Sequence, residues 1–437
     1  MVTWRAAALL GAGVATLWLW PDPWMALAGV ILSVALLCLL DRWSTPPPAE
    51  MRLERSGDKI CRLGEEATTE LRVTNPHVTA CRVEIRDAWV PSARATPLSH
   101  RLVIDGGHTE KLTTVLHPTR RGDREAVRVT VRCYGFLGLT FRQTRQAKAD
   151  AMTPPWKLRV LPRFESRRHL PEKLAKLRTL DGVTTIRGRG QGSEFDTLRE
   201  YVVGDDVRSI DWRGTARRHD VVVRTWRPER SRRVVCVLDT GRTSAVRVGD
   251  EPRLDAAIDA ALLLAAVAEH AGDQVDLIAA DERVRAAVTR VAGRGLLPRL
   301  VNALAPLQPS LTETDFEMVT SEILRRERKR SLVVLFTALE PGALGEGLLP
   351  VLPRLAAKHR VLIAAVHDPI INGLANTEIT DATSVYRKVA GLRARAERDR
   401  VAAALSRHGV RVLDAPAATF ASEVTDAYLA LKAAGEL

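Results

Sequence analysis

Any chemistry in this chain has to come from carboxylates, hydroxyls and arginines, because the usual nucleophiles and soft metal ligands stand apart from one another. The cysteines Cys38, Cys61, Cys81, Cys133 and Cys236 are scattered with no CxxC spacing, so neither a zinc grip nor a redox pair is written in them. They read as reduced thiols of a cytoplasmic body; a disulfide among Cys61, Cys81 and Cys133 is the alternative if that region is exported. His77, His100, His108 and His117 lack the i,i+4 spacing of a helical HExxH site and fall among turn residues. Arg187-Gly188-Arg189-Gly190-Gln191-Gly192-Ser193 is rich in glycine, but no Lys-Ser/Thr pair closes it as a phosphate-cradling loop would require, and it reads as a linker.

The densest pattern follows directly: Gly192-Ser193-Glu194-Phe195-Asp196-x-Leu198-Arg199-Glu200-Tyr201-x-x-Gly204-Asp205-Asp206-x-Arg208-x-Ile210-Asp211-Trp212-x-x-Thr215-Ala216-Arg217. Phe195, Leu198, Tyr201 and Val202 have helix-like spacing, Gly204 would end that helix, and Asp205 or Asp206 would cap the next. Nine arginines and five carboxylates lie between Asp205 and Arg233. Such interleaved charge makes bidentate arginine–carboxylate pairs, which serve either as an internal clamp or as a partner-recognition surface. Glu194, Asp196, Arg199, Tyr201, Gly204, Asp205, Asp206, Arg208, Asp211, Trp212 and Arg217 are the residues of that structural or partner-binding signature. Asp205 and Asp211 make poor general acids, because neighbouring arginines favour loss of their protons.

Three kinds of element surround this segment. Residues 1–43 hold two apolar runs, Trp4 to Trp20 and Trp24 to Leu40, joined by Pro21-Asp22-Pro23 and edged with tryptophan. They predict a two-helix transmembrane hairpin in the cell membrane; a signal peptide is disfavoured, since a second run follows at once with no small-residue cleavage site. Arg5 flanks one outer end and Arg42, Arg52 and Arg55 the other, while the turn carries only Asp22, so the positive-inside rule puts the body in the cytoplasm. Residues 44–164 alternate in short β-branched runs such as Thr69 to Thr74 and Ala126 to Val131, separated by turn signals, and predict a β-sandwich-like domain. Residues 165–233 hold the signature and linker. Residues 234–437 alternate apolar strands (Val234 to Leu238, Val275 to Ala280, Leu332 to Phe336, Val361 to Val366) with helices near Leu254 to His270, Leu296 to Leu304 and Leu348 to Ala357, ending in terminal helices. That is a doubly wound α/β domain, with Asp239 at the carboxyl end of its first strand.

The stretch from Gly192 to Arg217 resembles the signature of domain-of-unknown-function family 58, bacterial membrane proteins typically encoded beside MoxR-type AAA+ ATPases. The resemblance extends to the order of elements and implies a von Willebrand factor A-like fold for the α/β domain. Such domains bind a divalent cation, usually magnesium, through a DxSxS loop, a later threonine and a further aspartate. Here the resemblance assigns Asp239, Thr243 and Thr314 to a degenerate version. Gly241 replaces the middle serine, and Leu335-Phe336-Thr337-Ala338 lacks the closing aspartate, so weak or absent magnesium binding is expected.

Sixty-five Lys+Arg against 52 Asp+Glu leave a net charge of +13, but only ten of the cations are lysine and aromatics make up 5%. With little to stack on bases, nucleic acid is not expected as a partner. Two functions fit. One is a docking or scaffold protein, not an enzyme, held to the lipid bilayer and engaging a MoxR-type AAA+ ATPase or its client during assembly of a membrane or envelope complex. The other is a metal-dependent hydrolase using Asp239, Asp315 and Asp211, disfavoured by one dependable carboxylate and no GxSxG motif.

Overall fold

A computed structural model of the chain describes residues 1–187, 194–202, 207–218, 220–227, 232–289 and 295–437. It is a mixed α/β protein with several sheets, divided into two compact units, Met1–Leu161 and Pro162–Leu437. The apolar N-terminal runs belong to the first unit and the signature segment to the second.

The first unit opens with helix α1 (Trp4–Ala15), a short 3-10 turn, and helix α2 (Pro23–Ser44). Asp22 caps α2 by accepting from Trp24 and Met25, and Pro23 starts it at the position where a missing N–H costs nothing. The stretch Pro23–Glu50, with a mean hydropathy of 2.3, is the one helix among the described residues long and apolar enough to cross a membrane; Trp4–Leu19 is a shorter apolar helix. At about 1.5 Å per residue α2 rises about 33 Å. Two spanning runs were expected, and the length criterion is met by one.

Strands β1 (Arg52–Gly57), β2 (Ile60–Arg62), β3 (Ala67–Thr74), β4 (Cys81–Trp89), β5 (Ala95–Thr96), β6 (Ser99–Ile104), β7 (Thr109–Leu116), β8 (Gly122–Tyr134), β9 (Phe141–Gln143) and β10 (Lys157–Leu161) form two sheets, ordered β1-β3-β7-β5 and β2-β10-β8-β4-β6, with β9 on β8. All pairs are antiparallel except β2 with β10. Alternation puts Leu71, Val73 and Leu112 of one sheet against Val83, Ile85, Ile104, Val129 and Val131 of the other. Arg55, counted from sequence among the flanking cations, is buried in this sandwich, paired with Asp87 and stacked 5.0 Å over the Trp89 ring.

In the second unit a six-stranded sheet runs in the order Val284–Val288, Gln274–Ala280, Arg233–Asp239, Leu332–Phe336, Arg360–His367, Arg411–Pro416. All are parallel except the first, which is antiparallel to its neighbour. Helices cover both faces. Val235, Val237, Leu335 and Ile363 pack against Phe316, Val319 and Ile323 of the helix Phe316–Arg326. On the other face Phe336 meets Phe420 of the helix Ala417–Ala433 edge-on, ring centroids 6.2 Å apart. The helix Arg253–His270 is buried almost continuously from Ala260 to Ala268 because it lies between the sheet and that last helix. Two further strands stand outside the apolar runs legible in sequence: Val284–Val288, short and only partly buried, and Arg411–Pro416, which lies between the terminal helices.

One expectation is overturned. Glu194–Glu200 is a strand, not a helix, and pairs antiparallel with Val222–Arg227. A spacing of three between a few apolar residues is too short a window to separate the two periods, and the β-branched partner Val222-Val223 decides it through pairing.

Candidate functional site

The sheet reverses its winding beside Arg233–Asp239, its first strand, with the next two strands in sequence laid to one side and the last three to the other. A crevice therefore opens at the carboxyl end of this strand, and Asp239 stands in it. The following loop is held by backbone bonds to both neighbours: Thr240 N–H donates to Ala280 at 2.9 Å, Arg242 N–H to the Thr312 carbonyl at 2.8 Å, and Ser310 N–H to the Thr240 carbonyl at 2.7 Å. These bonds bring the loop carrying Thr314 over the strand end.

Asp239, 3% exposed, is the acceptor at the centre. Its Oδ1 takes the Gly241 N–H at 2.8 Å and the Thr314 hydroxyl; its Oδ2 takes the hydroxyls of Thr243 at 3.0 Å and Thr337 at 2.6 Å. The structure thus brings together Asp239, Thr243 and Thr314, and adds Thr337, which in sequence stands where the closing aspartate is missing and on one of the switch-point loops expected to meet a partner. A cleft of about 220 Å³ opens beside them, lined also by Arg242, Glu313 and Phe316. Arg242 and Glu313 pair across it at 2.7 Å.

The residues present do not fit a magnesium cage. Magnesium needs near-octahedral oxygens whose lone pairs face the ion and enough negative charge to offset its own. Here the one buried carboxylate, Asp239, already accepts four hydrogen bonds, which fills its acceptor sites, and among the described residues no group of three His, Cys, Asp or Glu is placed to hold a metal. Gly241 is required as well as permitted: a Cβ there would lie 2.3 Å from Thr314 Oγ1. A serine at that position has no room while Thr314 reaches Asp239.

The remaining carboxylates of the hydrolase reading are engaged elsewhere. Asp315 caps the helix Phe316–Arg326 by accepting from Met318 N–H at 2.9 Å. Asp211 accepts the N–H groups of Arg213 and Gly214, each at 3.0 Å, at the start of the helix Trp212–Arg218, and pairs with Arg224 at 2.8 Å. The Arg224 bond, then the Gly214 N–H, holds the Asp211 carboxyl below its ordinary range, so it is no proton donor near neutrality. Asp368, at the end of the strand Arg360–His367, likewise caps a helix through Ile370 N–H at 2.9 Å. Burial pushes the Cys236 thiol up to about 12, which removes it as a nucleophile.

Of the signature residues, Trp212 is 67% exposed and Arg217 is exposed. Tyr201 donates its N–H to the Val221 carbonyl at 2.8 Å, and Arg199 reaches the Glu200 carbonyl at 3.1 Å. Glu194 and Asp196 lie on the strand Glu194–Glu200 and Arg208 in the 3-10 turn Val207–Ser209. Gly204, Asp205 and Asp206 lie outside the described residues, as does the whole glycine-rich stretch 188–193. The ion pair Asp211–Arg224 is local to this two-stranded segment, so its arginine is exposed and not stranded in a core.

These features define a mixed α/β protein with an apolar N-terminal helix and a hydroxyl-saturated aspartate at the switch point of its sheet. The family described as "Protein of unknown function DUF58" matches residues 197–411, and the chain belongs to it. An uncharacterized protein of Mycobacterium tuberculosis is 27% identical over 183 residues, 41% of this chain and 56% of its own length. An uncharacterized protein of Mycobacterium bovis matches to the same extent. The chain thus spans little more than half the length of these relatives. Among solved structures, a fragment of Escherichia coli alpha-2-macroglobulin is similar with a TM-score of 0.21 and 16% identity, over 27% of this chain and 17% of that one. The CARDB domain of a Pyrococcus furiosus protein is similar with a TM-score of 0.19 and 12% identity, over 25% of this chain and 87% of that one. Likeness this low carries no argument about the present protein.

Proposed function

We propose that this chain is a membrane-anchored docking protein whose α/β unit is von Willebrand factor A-like and presents the carboxyl edge of its sheet to a protein partner. The observation that carries the reading is an apolar patch left uncovered at that edge. Beyond the strand Arg360–His367, Ile370, Ile379, Val385, Tyr386, Val389 and Leu392 are exposed. Val385, Val389 and Leu392 recur at helical spacing on Ala382–Arg407, which also carries Arg387, Lys388, Arg393 and Arg395. Exposed apolar side chains recurring along one helix face are a form of interaction surface, and the basic setting suits an acidic partner.

The strand order of the six-stranded sheet supports the von Willebrand factor A-like reading. The engaged state of Asp239, Asp211 and Asp315 favours docking over hydrolysis. Exposed Trp4 and Trp43 at the outer helix ends, and Trp18, Trp20 and Trp24 near the turn, suit two interfacial belts and support α1 as the companion of α2 in the membrane, with the body cytoplasmic. The partner proposed is a MoxR-type AAA+ ATPase or its client.

The test is binding of the purified source-organism MoxR-type ATPase to the full chain in detergent. Wild type should bind, and Val385→Glu with Val389→Glu should weaken binding at least tenfold, about 1.4 kcal/mol, with melting unchanged. No binding by wild type overturns the ATPase as partner; equal binding by the variant overturns the patch. A reporter active only in the exported compartment, fused to the C-terminus, should stay silent; a signal overturns the orientation.

A further inference from the structure

The turn Gly135–Gly138, between β8 and β9, holds two exposed apolar residues, Phe136 at 88% and Leu137 at 45%. It is closed by Gly138 N–H donating to the Gly135 carbonyl at 3.0 Å. The turn is pinned to the ends of both N-terminal helices. Asp41, in the last turn of α2, accepts from Leu137 N–H at 2.7 Å, Thr140 N–H at 2.7 Å and the Thr140 hydroxyl at 3.0 Å. From the other side, Thr3 N–H donates to the Leu139 carbonyl at 2.8 Å and Phe141 N–H to the Met1 carbonyl at 2.9 Å, just before α1 begins. Gly135 is glycine for the same reason: a Cβ would fall 2.3 Å from Asp41 Oδ1.

Trp4 opens α1 and Trp43 is the last residue but one of α2, so both flank this pinned turn. Where α2 is a membrane anchor, such tryptophans sit at headgroup level. A turn bonded to the same helix ends cannot leave that level. Phe136 has an apolar ring free of the sandwich core, which is the form of residue that inserts at an interface. Arg5 and Arg42 are exposed beside it, within reach of lipid phosphates.

We infer that the Gly135–Gly138 turn is a further membrane-contacting element, with Phe136 and Leu137 seated in the headgroup region of a phospholipid surface, so that the sandwich is held against the bilayer and not merely tethered to it. The inference rests on the reading of α2 as a membrane anchor.

The experiment uses the full chain in phosphatidylethanolamine–phosphatidylglycerol nanodiscs. Cys38 is replaced by alanine, and the other four cysteines are buried. An environment-sensitive fluorophore is attached to a single new thiol in Phe136→Cys, Trp43→Cys or Leu98→Cys. Leu98 is exposed and precedes Ser99, at the end of β6 away from the turn, since Ser99 pairs with Arg86 and Ile104 with Cys81. Quenching by headgroup-nitroxide lipid should be several-fold stronger at 136 than at 98 and comparable to that at 43. Quenching at 43 with none above the Leu98 level at 136 overturns the inference and leaves the anchor standing. Absence of quenching at 43 overturns the anchor reading itself and the inference with it.

Discussion

Thr337 donates its hydroxyl to Asp239 Oδ2 at 2.6 Å, joining the ends of two adjacent parallel strands through one buried bond. Under the proposed von Willebrand factor A-like reading, Thr337 occupies the position at which a metal-binding domain would carry a second carboxylate. Melting curves with chelator and with millimolar magnesium or manganese should therefore coincide for the wild type. A ligand held at 100 times its dissociation constant would add about 2.7 kcal/mol; a rise of that size, lost in Asp239→Ala, would reopen the metal-dependent hydrolase. Thr337→Asp should melt lower than wild type in chelator, where two carboxylates repel, and regain stability when magnesium is added.

Asp239→Ala removes the common acceptor of Gly241, Thr243, Thr314 and Thr337. Buried donors left without partners each cost about 1 to 3 kcal/mol, so denaturant unfolding of the second unit should register a loss of about 3 kcal/mol or more. Asp239→Asn, which keeps an acceptor oxygen, should lose distinctly less. Equal losses in the two variants would mean that the hydroxyls do not depend on this carboxylate.

Asp41→Ala strands the N–H groups of Leu137 and Thr140 and should destabilise the first unit by about 2 kcal/mol or more. Gly135→Ala should do the same from the other side, by forcing a methyl group onto the carboxylate. The double variant should cost little more than either single one, because both break the same contact. Additive losses would show the two residues acting separately.

His359 is 2% exposed, and neither ring nitrogen has a hydrogen-bond partner among the described residues. Burial first, then the neighbouring Lys358, holds its pKa below the ordinary histidine value. As pH falls through about 6.5 the unfolded chain takes up a proton that the folded chain refuses. Stability contributed by the neutral ring is thus complete above that pH and is lost below it. Wild type should lose melting temperature between about pH 7 and about pH 5 more steeply than His359→Leu; parallel slopes would exclude His359 as the source.

Asp211→Ala removes the cap of the helix Trp212–Arg218 and the partner of Arg224. Because that arginine is exposed, the melting temperature should fall modestly and not collapse as it would for a buried charge left alone. Trp212→Ala, at an exposed site, should leave melting unchanged. A collapse in either variant would restore the internal clamp.

The parallel strands were legible because residues buried on both faces form unbroken apolar runs, as in Val234 to Leu238, and need no partner to be recognised. The apolar N-terminal helices were legible for a similar reason: composition over a long window outweighs any local detail. The short strands Glu194–Glu200 and Val284–Val288 were not, since each offers too few alternations to define a period and exists through the strand beside it. Asp239, Thr243 and Thr314 could be picked out by residue type, spacing and a family resemblance. What the residues do together was decided only in three dimensions. Three threonine hydroxyls converge on Asp239 because the loop after its strand is held by backbone bonds to the Thr312 and Ala280 carbonyls, which bring distant stretches of chain to one carboxylate. The same holds for Asp41 and Gly135, nearly a hundred residues apart, whose contact leaves no periodic trace in the chain because it is made by the end of a helix meeting a distant turn.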